Sequence, residues 1–213
     1  MCSIVGSFDK QQFIDLIKLN ETRGSFSHSF TVINPDDRTM STIKNWGPFD
    51  FSLLDAVVPG HYMLGHCQAP TGGMIKDEAR IHPYITNGIS LLHNGIIMPN
   101  SMKLINKELN TNYTWDTQAI CEYMIISGAI DVKRLNSIEG SFACVVIDND
   151  ANVILFRNAI APLFYDGELS ISSTAFRGSI STYTNTVYHL DFTKCTATPV
   201  AMFNNTYNPF LLD

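Results

Sequence analysis

From residue 136 onward the chain is cut into short apolar runs by turn-forming residues. Runs at 142–148, 153–157, 163–165, 169–172 and 187–192 are separated by Asn149-Asp150, Asp166-Gly167 and similar breaks. Segments this short, bounded by residues that reverse the backbone, fold as antiparallel strands rather than helices. Several are apolar at consecutive positions, so both of their faces must be covered. The first half adds a buried strand at 3–8 and a helix running to about residue 19, opened by Asp9 with Gln12 three residues later and carrying Phe13, Leu16 and Ile17 on one face. From Phe26 to Val32, large residues alternate with Ser27, Ser29 and Thr31, closed by a turn at Asn34-Pro35-Asp36-Asp37. Segments 61–67 and 89–92 read as further buried strands. Met102, Ile105 and Leu109 mark a helix at 99–109, and Ile120, Tyr123 and Met124 a second at 117–127. The expected fold is α+β, with two packed sheets and helices outside them in four layers.

Nothing in the chain suggests a second unit. At 213 residues and 45% hydrophobic it can bury one substantial core, so 1–213 is expected to be a single domain. The net charge is −6 and the lysines and arginines are scattered, which argues against a nucleic-acid surface. No apolar stretch approaches the ~20 residues that span a bilayer, so no membrane partner is expected. Five cysteines, an odd number without a C-x-x-C pair, fit a reducing cytoplasm rather than a disulfide framework.

Cys2 is the chemical centre of the reading. Removal of Met1 leaves one residue carrying both a thiol and a free α-amine. Such an amine titrates near about 7.7–8.0, close to working pH, and reaches its own thiol through one water. It can therefore act as the base that a cysteine nucleophile needs.

Four segments become informative together: Met1-Cys2-Ser3-Ile4-Val5-Gly6, Arg23-Gly24, Gly65-His66-Cys67-Gln68-Ala69-Pro70-Thr71-Gly72-Gly73 and His93-Asn94-Gly95-Ile96-Ile97. Their order and spacing resemble the class II glutamine amidotransferases, which are N-terminal-nucleophile hydrolases. The resemblance continues through Thr114-Trp115-Asp116-Thr117, Glu139-Gly140-Ser141-Phe142, Arg157-Asn158 and Ile171-Ser172-Ser173, nearly the whole chain. It implies an αββα sandwich and hydrolysis of the glutamine side-chain amide through a thioester, releasing ammonia that a synthetase domain consumes; for this chain the expected acceptor is a separate synthetase subunit. No cofactor or metal is implied.

The resemblance assigns roles residue by residue. Cys2 is the nucleophile, while Asn94 and Gly95 supply the donors that stabilise the tetrahedral oxyanion. Taken alone, Asn94-Gly95 is also the signature of a plain hairpin turn, as Asn87-Gly88 is expected to be. Arg23 buttresses the nucleophile, and Gly24 permits close backbone approach. Asp116 holds the substrate ammonium, although Trp115-Asp116-Thr117 also reads as an ordinary helix start. Thr71 and His93 complete the substrate-binding set.

Gln68 departs from the pattern. Relatives carry arginine there to grip the substrate carboxylate, and a neutral amide replaces that charged fork. Three outcomes stay open: a cation such as Lys76 or Arg80 substitutes, neutral donors suffice, or the substrate is another amide. A non-catalytic binding module of the same fold is the remaining alternative. His66 reads as a core histidine, because no partner lies at metal-ligand spacing. His28, His61, His82 and His189 carry no pattern, and Cys121 and Cys144 read as small core residues.

Overall fold

Both faces of most strands are covered, and this organises the molecule. The computed structural model describes residues 1–69, 76–126 and 129–209. In chain order the strands and helices are β1 (Ser3–Ser7), α1 (Lys10–Asn20), β2 (Ser27–Asn34), β3 (Thr39–Trp46), β4 (Tyr62–Gln68), β5 (Tyr84–Thr86), β6 (Ile89–Ile97), α2 (Pro99–Leu109) and α3 (Asp116–Met124). They are followed by β7 (Ile125–Ile126), β8 (Ala129–Ile130), β9 (Gly140–Ile147), β10 (Val153–Arg157), β11 (Phe164–Tyr165), β12 (Ile171–Ser172), β13 (Ile180–Ser181), β14 (Thr186–Asp191) and β15 (Thr196–Met202). A seven-stranded sheet runs β13-β11-β12-β1-β4-β2-β3, and a six-stranded sheet runs β15-β14-β10-β9-β6-β5. Neighbouring strands pair antiparallel in both.

Successive side chains of a strand point to opposite faces, and the core clusters follow that alternation. Ile4, Leu64, Leu92, Ala143, Val145 and Leu155 meet between the sheets. Val5, Met63 and Phe30 face the other way, onto Phe13, Leu16 and Ile17 of α1. Leu91, Phe142, Cys144 and Val146 face outward from the second sheet, onto Ile105 of α2 and Ile120, Tyr123 and Met124 of α3. The layers are therefore α1, sheet, sheet, α2 with α3, the expected four-layer αββα arrangement. Fully burying one such aliphatic side chain contributes about 1.5–3 kcal/mol, so strand register is strongly specified on both faces.

The local signals act as the sequence predicts at several points. Asp9 caps α1 by accepting the Gln12 N–H at 2.6 Å. Asn87 and Gly88, both at positive φ, turn β5 into β6. Asn94-Gly95 is not a turn. Both residues lie inside β6, paired with Ala143 and Phe142 of β9. The second predicted helix is also shorter than its apolar period suggests, ending at Met124 where the β-branched pair Ile125-Ile126 begins a two-stranded hairpin. No helix among the described residues is long and apolar enough to cross a membrane.

Candidate active site

Cys2 stands at the head of β1, on the strand face shared with Ile4, and so points between the sheets. Its thiol lies 3.6 Å from the Ala69 carbonyl just past the end of β4. Burial is the main influence on this thiol and pushes its pKa up. The Asp116 carboxylate pushes the same way, while the Ala69 contact, the N-terminal charge and Arg23 pull it down. A thiol raised in this way needs a base to take its proton before it can act as a nucleophile.

Arg23 follows α1 in a short turn of 3-10 helix and donates from Nε to the Cys2 carbonyl oxygen at 3.1 Å. Burial lowers its pKa, and its Nη2 is enclosed without a hydrogen-bond partner. Gly24 comes next. A Cβ built on it would stand 2.6 Å from the Gln68 carbonyl carbon and 2.8 Å from the Ala69 nitrogen, so only glycine lets this turn close against β4.

Asn94 reaches the same region from the other sheet. Its Nδ2 donates to the Ser173 hydroxyl at 3.1 Å, and that hydroxyl also accepts the Ile4 N–H at 2.9 Å. The Ser173 N–H donates in turn to the Ile4 carbonyl at 3.0 Å. One serine after β12 thus couples β1 to β6. Gly95 lies hard against the Ser141 carbonyl and the His93 ring, leaving no room for a side chain. Asp116 is the first residue of α3. Its Oδ2 accepts the Ile97 N–H at 3.2 Å and its Oδ1 the Thr117 N–H at 2.8 Å, which fixes the carboxylate beside the end of β6.

Two of the substrate-binding candidates are occupied within the protein. The Gln68 amide is buried, with Oε1 accepting the Ser27 hydroxyl at 2.6 Å and Nε2 donating to the Arg80 carbonyl at 3.2 Å. The His93 ring lies on the face of β6 opposite Asn94, where Nδ1 contacts the Thr117 hydroxyl at 3.2 Å and Nε2 the Ser141 carbonyl at 3.5 Å. Thr71 lies outside the described residues.

Sequence reasoning missed a buried histidine cluster behind the site. His82 packs against His66 with ring centroids 3.9 Å apart and the planes tilted by 31°, its Nε2 is 2.9 Å from the Thr117 hydroxyl, and His66 Nε2 is 3.2 Å from the His93 carbonyl. Burial lowers the pKa of all three, that of His66 to about 3. The cluster is drawn from three separate segments, so no local spacing could reveal it. Among the described residues no group of His, Cys, Asp and Glu could hold a metal ion.

Two stacked antiparallel sheets between helical layers, with a cysteine at the head of a central strand, give a four-layer fold similar to that of the N-terminal-nucleophile glutamine amidotransferase domains. The chain is similar to glutamine–fructose-6-phosphate aminotransferase (isomerizing) of Mesorhizobium japonicum at 25% identity, of Agrobacterium fabrum at 27% and of Chlorobaculum tepidum at 28%. These alignments cover 90%, 89% and 89% of this chain, and the chain spans 34% of each relative. Among solved structures it is similar to glutamine phosphoribosylpyrophosphate amidotransferase from B. subtilis, with a TM-score of 0.66 and 16% identity over 90% of this chain and 47% of that one. A second, an allosteric regulatory enzyme of purine biosynthesis, gives a TM-score of 0.65 and 15% identity over 94% and 48%. No family model matches the chain.

Proposed function

We propose that residues 1–213 act as one glutamine-hydrolysing domain, in which Cys2, freed of Met1, attacks the glutamine side-chain amide. The Cys2 amine takes the thiol proton through a water, and the thiolate forms a bond to the amide carbon. Asn94 Nδ2 and the Gly95 N–H stabilise the oxyanion, a contribution on the order of 2.7–4 kcal/mol per donor in comparable sites. The intermediate collapses to a thioester as ammonia leaves with the transferred proton. Water then cleaves the thioester, giving glutamate and restoring the thiol. Arg23 holds the Cys2 backbone still, and Asp116 receives the substrate ammonium.

The observation that carries this reading is the Ser173 link, which ties Asn94 to the backbone of Ile4, two residues from the nucleophile. Met1 is 73% exposed, which supports its removal by an aminopeptidase. Because the chain spans about a third of the length of its curated relatives, we infer that the ammonia passes to an acceptor domain or subunit.

Intact mass after incubation with 6-diazo-5-oxo-norleucine tests the reading. The expected result is one adduct on Met1-free chains, absent from Cys2→Ala. Met1-free protein that forms no adduct and releases no ammonia from glutamine would reject it.

A further inference from the structure

We propose that Arg80 is the specificity-determining residue that selects substrates bearing a carboxylate; this rests on the amide-hydrolase reading above. A carboxylate entering a partly enclosed site needs a cation or several donors to replace its water. Gln68 has no charge to offer, and its amide is engaged by the Ser27 hydroxyl and the Arg80 carbonyl. Arg23 is directed at the Cys2 carbonyl through Nε, and its unpartnered Nη2 is fully enclosed, with no surface open to a ligand. Lys44 donates to the Pro83 carbonyl at 2.6 Å, and Lys76 lies over the Trp46 ring at 6.0 Å.

Arg80 differs from these cations in both position and availability. Its backbone is tied by Gln68 to the end of β4, adjacent to the Ala69 carbonyl that meets the Cys2 thiol. Its Nη2 donates to the Thr114 hydroxyl at 2.6 Å, two residues before Asp116, and its Nε lies 3.6 Å from Asp77 Oδ2. Nη1 meets no protein acceptor among the described residues, and the side chain is 31% exposed. A guanidinium held through one arm with the other open is poised for a planar anion. Arg80, joined to Thr114, and Asp116 two residues further on would then supply the opposite charges that an α-amino acid carries on one carbon. Gln68 becomes a positioning residue, holding the arginine that does what its own side chain cannot.

The test compares Met1-free wild type, Arg80→Ala and Arg80→Lys on L-glutamine and on 4-aminobutanamide, which keeps the amide and amine but lacks the carboxylate. Charge-assisted bonds contribute about 1.5–3 kcal/mol, or roughly 10–100-fold. Arg80→Ala should lose that much kcat/KM on glutamine through a higher KM, lose nothing on 4-aminobutanamide, and be partly rescued by Arg80→Lys. Calorimetric binding of glutamine to Cys2→Ala, with and without Arg80→Ala, should show the same loss without turnover. Equal losses on both substrates, no loss on glutamine, or a wild type that prefers 4-aminobutanamide would overturn this proposal while leaving an amide hydrolase. A wild type that releases ammonia from neither substrate would overturn both.

Discussion

The Thr117 hydroxyl lies 2.9 Å from His82 Nε2 and 3.2 Å from His93 Nδ1, bridging two buried imidazoles with one oxygen. Thr117 is the second residue of α3, directly after Asp116, so the bridge ties the start of the helix to the cluster. Replacing it with Val preserves shape but leaves two ring nitrogens without this partner. An unsatisfied buried polar group costs about 1–3 kcal/mol. Thr117→Val should lower the urea midpoint accordingly and weaken glutamine binding through the displaced Asp116.

The same cluster sets an acid limit on stability. His66 titrates near 6.5 when unfolded and is held at about 3 when folded, with burial the cause. Below pH 6.5 the unfolded chain binds the proton that the folded one refuses, so stability falls as pH drops towards 3. At pH 5 the contribution from His66 alone is about 2 kcal/mol. His82 and His93 shift in the same direction and add to it. Thermal melts between pH 7.5 and 4.5 should show a monotonic fall in Tm, shallower in His66→Gln.

Gly24→Ala should damage the site rather than the backbone conformation. Gly24 is extended at φ −174°, which any residue adopts, but the added methyl would strike Gln68 and Ala69. Overpacking of this kind costs about 1–3 kcal/mol. Displacing Ala69 also moves the carbonyl that meets the Cys2 thiol. Adduct formation with 6-diazo-5-oxo-norleucine should slow at least tenfold while far-UV circular dichroism stays unchanged.

Restoring arginine at Gln68 tests how far the pocket has diverged. If pocket geometry matched relatives, Gln68→Arg would tighten glutamine binding. Here the exchange removes the acceptor from the fully buried Ser27 hydroxyl. The expected outcome is a loss of about 1–3 kcal/mol in stability and no gain in glutamine affinity, read by urea titration and calorimetry.

Alkylation should sort the thiols by exposure. Cys195 is exposed, while Cys67, Cys121 and Cys144 are buried with pKa values pushed up, those of Cys67 and Cys121 to about 12. In chains retaining Met1, iodoacetamide at pH 7.5 should modify Cys195 first and Cys2 slowly, with the Cys2 rate rising as pH increases. Peptide mapping of timed samples checks this.

Elements whose signals are local were legible in the sequence. The helix at 99–109 and the Asn87-Gly88 reversal were readable because an apolar period or a turn residue dictates each one. β3 and β15 were not, since one alternates only between exposed and half-covered positions and the other is mostly exposed, which leaves little hydrophobic pattern to read. The placement of Asn94-Gly95 inside a strand is decided by pairing with β9, about 48 residues away in sequence. The contacts made by Ser173 and His82 were not legible for the same reason: their partners come from distant segments. Gln68 stood out as a departure, but its engagement with Ser27 and Arg80 is visible only in three dimensions.

The bridge through Ser173 joins the two sheets, so the proposed nucleophile Cys2 and the proposed oxyanion donor Asn94 belong to different halves of the sandwich. Neither half alone holds a working pair, so a nascent or partly opened chain carries a cysteine without the means to use it.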